Sequence, residues 1–329
     1  MPMDDQAPLV SVVIPTHNRS RLLREALDSV VAQTLGDWEA IVVDDASEET
    51  PSVAEVASAY GPRVRVIRHE AAQGGAAAKN TGVQAARGAL LAFLDDDDLL
   101  APTYLEKAAG VLEAYPEVQV VFMGVEWFGP NAEGGERNYR KAMAKVLAEA
   151  DGREAEGGVL LFGEGLLKAL LERVPMAFQR PVLRRDAFAV IGPYRADCLL
   201  WDCDWAIRAA MTVPVALLPE PLYRQRCERQ GFSSRPARAL EQMESNIEMK
   251  TRLHARELAE SGAGSQRERL FRQALASAWF DAAYNHGNAG RRRAAWMAWW
   301  RSQLLSPSLA RAKFPLRMLL QGVLGKRKD

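Results

Sequence analysis

Cysteine is scarce in this chain and histidine nearly so: 329 residues carry three of the first and four of the second. Cys198, Cys203 and Cys227 form an odd set without paired metal-ligand spacing, which argues against a disulfide framework and against a thiolate zinc site. A reducing, cytoplasmic setting is the expected home. Net charge is missing too. Its 42 basic residues balance 42 acidic ones, so the whole chain makes no case for a nucleic-acid partner. No uninterrupted apolar run approaches the roughly 18 residues that a membrane span needs. The opening "MPMDDQAPLV" is acidic where a secretory signal would be basic and then apolar. These absences predict a soluble protein, attached to a membrane at most peripherally.

What is present is an ordinary globular composition, 48% hydrophobic and 26% charged, on a chain long enough for one large domain and an appendage. The charge is unevenly placed. Between Arg291 and Asp329 ten Lys or Arg stand against one acid, leaving 32 basic and 41 acidic residues before them.

In the first third, short apolar runs alternate with helical periodicity, the signature of βαβ units feeding a mostly parallel sheet. Strands are predicted at "LVSVVIP" (9–15), "WEAIVVDD" (38–45), "RVRVI" (63–67) and "ALLAFL" (89–94). Helices are predicted between them. The first has Ser20 as N-cap and Gly36 as its stop, and the third, "GAAAKNTGVQAARG", is bracketed by glycines. A helix over 102–116 and a strand over 118–128 follow. The Gly-, Glu- and Arg-rich stretch from Gly129 to Gly158 reads as a mobile loop enclosing a helix, and from about Ser234 the pattern is helical.

Four consecutive acids, Asp95 to Asp98, follow the fourth strand directly. Two unit charges about 4 Å apart repel by about 4 kcal/mol at an effective dielectric near 20, so such a cluster needs open water or a counter-charge. A hard divalent cation is one counter-charge. It takes oxygen ligands and keeps water and phosphates in its shell, so one or two carboxylates suffice; a solvated turn is the other reading. In an extended backbone Asp95 and Asp97 would share one face, Asp96 and Asp98 the other. Asp44 and Asp45 also end a strand, where they can receive a ligand's N–H or hydroxyl or cap the next helix. Gly74 and Gly75 lead into a helix carrying Lys79 and Asn80, either an anion-binding helix start or a turn. Of the histidines, His17 alone falls in a motif.

Taken in order over about Pro8 to Ser234, "VSVVIPTHNR", "WEAIVVDDAS", "GGAAAKNTG", "FLDDDD", "IGPYRADCLLWDCDWAIR" and "LPEPLYRQR" resemble the family 2 glycosyltransferases with the nucleotide-sugar-binding A-type (GT-A) fold. The resemblance implies an α/β class: a mixed, mostly parallel sheet flanked by helices over 1–234, with a C-terminal helical extension over 235–329. It implies inverting transfer of a sugar from a nucleotide-diphosphate donor, UDP-linked by expectation, to a saccharide or lipid-linked acceptor in cell-surface polysaccharide or glycolipid synthesis. Pro15, Thr16, His17 and Asn18 match the segment that packs on the nucleotide. Asp45, beside Asp44, matches the acid that reads the base, and Gly75, Lys79, Asn80 and Asp96 fall on the same nucleotide-sugar side. Asp95 and Asp97 match the outer acids of a D-x-D motif, Asp97 being the foremost ligand for Mn²⁺ or Mg²⁺.

Asp202, six residues before Arg208, resembles the general base that takes a proton from the acceptor hydroxyl. Asp204 competes for that role, and either acid could simply pair with Arg208 or Arg195. The sequence departs from the family at Trp201, where Glu is frequent, and at Cys227, where relatives commonly carry a histidine close to the metal or phosphates. Two other readings stay open. A sugar nucleotidylyltransferase would call for an N-terminal Gly-rich loop, which "VVIPTHNR" does not contain. A nucleotide-sugar-binding scaffold without turnover would suit the two departures.

The last segment sets Arg291, Arg292, Arg293 and Arg301 among Trp296, Trp299 and Trp300. Such a helix could lie on an anionic membrane surface, aromatic side down, or pack its tryptophans on the protein. Peripheral membrane contact through 291–329 is the expectation. Nucleic acid is not, since no base-reading module accompanies the patch.

Overall fold

The apolar runs become strands because their Val, Ile and Leu side chains can be buried on both faces of a parallel sheet. In a computed structural model of the chain, which describes residues 7–228 and 238–315, ten strands form one sheet. They are β1 (Val10–Thr16), β2 (Trp38–Asp44), β3 (Val64–Arg68), β4 (Leu90–Phe93), β5 (Leu99–Leu100), β6 (Val120–Phe128), β7 (Arg153–Glu154), β8 (Leu160–Leu161), β9 (Pro181–Arg184) and β10 (Val215–Arg226). Their order is β3-β2-β1-β4-β9-β6-β10-β8-β7, with β5 paired to β10. Strand β1 runs parallel to β2 and β4, β2 to β3, and β6 to β10, while β9 is antiparallel to both β4 and β6.

This topology positions the site. Thr16 is level with Asp44 across β1 and β2, and Val13 is level with Phe93 across β1 and β4. The segments leaving β1, β2 and β4 therefore emerge along one edge, at the carboxyl ends of parallel strands, where open α/β sheets bind ligands.

Two sequence expectations are corrected, and the helix expected within 129–158 is present. Ser20 is the first residue of the helix Ser20–Val31 and not its cap; the flanking Arg19 makes no side-chain cap bond. The Ser20 N–H is instead satisfied by the Glu49 carboxylate. The helix also stops short of Gly36, because Gln33 and Thr34 bond the carbonyls of Ala101 and Pro102 and draw the chain aside. Between Gly129 and Gly158 most residues lie in an 18-residue helix, Ala132–Glu149, which buries Ala142, Met143 and Val146. Gly135, a loop signal by composition, is there for packing: a Cβ on it would stand 2.6 Å from the Trp127 ring.

Strand β10 contains Pro219 and Pro221, which cannot donate to a ladder, and its register with β6 shifts between Leu218 and Tyr223. The displaced backbone presses on Gly124 of β6.

The chain divides into two compact units, Met1–Phe232 and Ser233–Asp329; the boundary expected near Ser234 lies outside the described residues. The second unit contains the helices Ala239–Ser261, Gln266–Asn288, Arg292–Leu305 and Leu309–Ala312. Its core joins Ile247, Leu275 and Phe314 to a set of alanines that includes Ala278, Ala282, Ala295 and Ala298, small residues that let helices approach closely. Of the tail expected at the membrane, residues 316–329 lie outside the described residues. No helix among the described residues is long and apolar enough to cross a membrane.

A Cβ added at Gly124 would stand 2.1 Å from the Pro219 carbonyl oxygen, a backbone atom that cannot swing away. Gly124→Ala is expected to cost about 1–3 kcal/mol through overpacking, read as a lower urea midpoint at unchanged slope; an unchanged midpoint would mean that the bulge can move.

Candidate active site

The four acids do not lie along an extended strand. Asp98 N–H donates to the Asp95 carbonyl at 3.0 Å, closing a turn. The expected alternation of faces is thereby overturned, and the acids sort by turn position. Asp96 and Asp97 both meet Arg19, whose Nη1 lies 3.0 Å from Asp96 and 2.8 Å from Asp97. Thr16 Oγ1 donates to Asp96 at 2.7 Å. Asp95 meets Lys79 at 2.8 Å and Arg180 at 2.9 Å. Fully buried Asp98 accepts from Tyr223 Oη and from the Arg226 N–H, each at 2.8 Å, with Arg180 at 3.6 Å.

These surroundings separate the carboxyls electrically. Burial would raise Asp95, but Arg180 and Lys79 hold it well below the usual carboxylate range. Burial raises Asp97, aided by Asp95 and opposed by Arg19. Burial also raises Asp98, with Arg180 opposing and Asp95 adding to the rise.

The loops after β1 and β2 are tied together. His17 Nδ1–H donates to the Asp45 carbonyl at 2.6 Å, and Asn18 Nδ2 donates to His17 Nε2 at 3.0 Å. Asn18, at a positive φ of 55°, receives the Glu48 N–H on its side-chain oxygen. Pro15 is level with Val43 inside the sheet. Buried Asp44 accepts the Ser47 N–H at 2.8 Å and pairs with Arg68. Asp45 accepts the N–H groups of Gln73 and Gly74 and the His69 Nδ1–H at 2.7–2.8 Å. Burial would raise Asp45, but those donors lower it. The Asp45 carboxylate thus orders the turn that starts the helix Gly75–Ala85.

That helix presents Lys79, 1% exposed, with its Nζ 4.6 Å from the centre of the Trp201 ring. Asn80 exchanges hydrogen bonds with the Tyr194 backbone at 2.8 and 2.9 Å. A Cβ on Gly75 would meet the Trp201 ring at 3.6 Å. Trp201 therefore covers the helix start and a buried cation with a π face, at a position where an acid would be frequent.

The two candidate bases are distinguished by their partners. Asp204, 1% exposed, accepts from Arg208 Nε at 2.8 Å, and the rest of that guanidinium bonds the carbonyls of Ile191, Gly192 and Pro193. Asp202 is half-buried and accepts the Cys203 N–H at 2.8 Å. Burial raises its carboxyl, with Arg180 and Lys79 opposing and Asp95 adding to the rise. Asp202 thus shares its two cations with Asp95.

Sequence reasoning missed Arg180, Arg19, Tyr223 and Arg226. Arg180 left a signal: a cation inside the apolar "VPMAFQRPVL" must find anionic partners if it is buried. A cavity of about 520 Å³ lies elsewhere, lined by Leu9, Leu90, Leu112 and Arg184 near the amino ends of β1 and β4; it contains none of these acids.

No group of three or more His, Cys, Asp or Glu among the described residues could hold a metal unaided. A hard cation that fills its shell with water and phosphate oxygens needs only one or two carboxylates, and Asp97, its side chain 30% exposed, fits that demand. Asp95, tied to two protein cations, fits it less well. Burial raises the Cys227 thiol above its ordinary value, which disfavours the thiolate form that a metal ligand requires.

Residues 11–159 match Glycosyl transferase family 2, and this part of the chain belongs to that family. The O-antigen biosynthesis protein RfbC of Myxococcus xanthus is 37% identical over 241 residues, 70% of this chain and 17% of that protein. Staphylococcus aureus TarS 1-349, solved in complex with UDP-GlcNAc, superimposes with a TM-score of 0.63 at 16% identity, over 91% of this chain and 81% of that one. The mannosyltransferase PcManGT from Pyrobaculum calidifontis, solved with GDP-Man and Mn²⁺, gives 0.58 at 19%, over 98% and 82%. At such identities these likenesses speak for the fold, which is of the GT-A type. The chain spans 14% to 40% of the length of the curated relatives it matches.

Burial pushes the Asp96 carboxyl up to about 6 against the pull of Arg19, from an ordinary value of 3.8. A raised acid opposes folding once ionised: the penalty is absent below the lower value, develops between the two, and is fully present above the upper one. Asp96→Asn is therefore expected to stabilise the fold by up to about 3 kcal/mol at pH 8 and by only about 0.5 kcal/mol at pH 4. Thermal melts at both pH values check this, and a loss of stability at pH 8 would show that the Arg19 and Thr16 contacts outweigh burial.

Proposed function

We propose that the chain is an inverting glycosyltransferase. It moves a sugar from a nucleotide-diphosphate donor, with UDP as the expected nucleotide, to a hydroxyl of a saccharide or lipid-linked acceptor, in building a cell-surface polysaccharide or glycolipid. One observation carries this reading: Asp95 of the acidic turn is paired with Lys79 and Arg180, and Asp202 lies in the field of the same two cations, at the strand-end edge where α/β sheets bind ligands. Family membership of residues 11–159 and the O-antigen role in the name of the M. xanthus relative support it. So do the nucleotide sugars held by the two structural neighbours.

In this reading Asp202 takes the proton of the acceptor hydroxyl. The freed oxygen bonds to the anomeric carbon on the face opposite the diphosphate, and the bond from that carbon to the diphosphate oxygen breaks. Its electron pair leaves with the nucleoside diphosphate. A single in-line displacement inverts the configuration. A raised pKa suits Asp202 to the task, since a base works best near the operating pH; Asp204 is occupied by Arg208. Asp97, with Asp95 beside it, would hold Mn²⁺ or Mg²⁺ against the donor's phosphates. Such an ion, when bound, neutralises charge developing on the leaving diphosphate. Asp45 and the loop from Pro15 to Asn18 would receive the nucleotide. Three free cysteines suit a reducing, cytoplasmic setting.

Asp202→Asn should lower kcat by about 10²–10⁴-fold, the usual range for a lost general base, with an unchanged circular dichroism spectrum and a thermal midpoint no lower than that of the wild type. Undiminished turnover of the variant would remove Asp202 from the mechanism.

Calorimetric titration with UDP, GDP, CDP and TDP, each with and without Mn²⁺, should show one nucleotide binding in a metal-dependent way that Asp97→Ala abolishes. If no nucleotide bound under any condition, the acidic turn would have no donor to serve and the transferase reading would fail. If one bound but slow donor hydrolysis were absent, the chain would be a scaffold without turnover.

A further inference from the structure

We propose that the outer face of the helix Arg292–Leu305 is a docking surface for an anionic lipid bilayer. The inference deepens the functional reading by naming the partner of the C-terminal unit. Lipid binding is measured without donor or acceptor, so the two readings fail separately.

The helix has two unlike faces. Ala295, Ala298 and Ser302 are buried, and Trp299 packs against the core of the unit while its ring N–H donates to the Arg311 carbonyl at 2.8 Å. One tryptophan is therefore structural. On the other side Trp296, Met297, Trp300 and Leu304 are 40%, 51%, 57% and 67% exposed. At about 100° per residue these four fall within one arc, with Arg292 and Arg301 on its two flanks and Arg293 inside it near the amino end. Arg301 is steadied by its guanidinium, which lies 4.5 Å over the Trp279 ring.

Single exposed apolar residues are ordinary; an aligned set with two tryptophans marks an interaction surface. The chemistry on the page selects the occupant. The helix carries three arginines and no acid, so its partner is anionic as well as apolar. Tryptophan suits the boundary between acyl chains and headgroups, and flanking arginines reach phosphate while their stems stay on the apolar side. The 14 residues extend only about 21 Å, short for a span and adequate for lying in the plane of a surface. A second copy docking on the same face would crowd arginines together with no acid on the helix to meet them.

The test is co-sedimentation of the full chain with phosphatidylcholine vesicles containing about 30% phosphatidylglycerol and with phosphatidylcholine alone. Wild type should sediment with the anionic vesicles, lose binding as salt is raised, and stay in solution with the neutral ones. The triple variant Trp296→Ser, Trp300→Ser, Leu304→Ser should bind about tenfold more weakly or worse, and Arg292→Gln with Arg301→Gln should lower the salt sensitivity. Thermal melts verify that each variant is folded, and the single change Trp300→Glu serves if the triple is not. The proposal is overturned if wild type ignores anionic vesicles, or if folded face variants bind as well as wild type. It is also overturned if wild type proves to be a dimer that the triple variant dissociates, since the face would then be covered by a second copy.

Discussion

The first unit depends on balancing five carboxylates at one sheet edge. Asp95, Asp96, Asp97 and Asp98 are consecutive, and Asp202 joins them from the helix Trp201–Thr212. Three cations face them: Arg19 toward Asp96 and Asp97, Lys79 and Arg180 toward Asp95. Each comes from a different part of the chain: the start of the first helix, the helix after β3, and the residue before β9. The turn is compact only if β1, β4 and β9 are in register, so the charge balance and the sheet topology enforce one another. A buried Arg or Lys left without its carboxylate is strongly destabilising, by several kcal/mol. That asymmetry ties the acids to the fold as firmly as to any ligand.

Much of this was legible before folding. Apolar runs bounded by Pro, Gly and Asp mark β1, β2 and β4, because a strand buried on both faces must be apolar throughout, whereas the edge strand β3 carries Arg65 and Arg68 and is only partly buried. The strand-end location of Asp44, Asp45 and the acidic run follows from the same pattern. The direction of each carboxylate was not legible. An alternating reading of Asp95 to Asp98 assumes extended backbone, whereas one hydrogen bond between Asp98 and Asp95 turns the segment and regroups the acids. Arg180 was missed because its partners lie far away in the sequence, and no local pattern encodes an ion pair of that span. The helix expected within 129–158 is present, but its extent was hidden for a related reason: Gly135 is demanded by a neighbouring ring, a tertiary fact with no local signature.

The departure at Trp201 makes physical sense beside Lys79. The ammonium is almost wholly buried and already has Asp95 at 2.8 Å. Another acid near it would add to a surplus of negative charge next to Asp202. A tryptophan face 4.6 Å away stabilises the cation through its quadrupole and excludes water without adding charge. Tyr194 meets the same indole edge-on at 5.1 Å, and Asn80 holds the Tyr194 backbone. The substitution is embedded in an aromatic support that also steadies the start of the Asp202 helix.

Arg180 and Lys79 then act on two carboxylates in opposite balance. For Asp95 their attraction overcomes burial and keeps the acid ionised; for Asp202 burial prevails and the pKa rises. Carboxyls pushed in opposite directions by a shared environment are the arrangement from which acid and base roles are assigned. An ionised Asp95 also raises Asp202 by repulsion, so the anchor acid helps to tune the proposed base. A ligand that drew Lys79 or Arg180 toward its own phosphates would weaken their pull on Asp202 and raise it further, making it a stronger proton acceptor once the donor is in place.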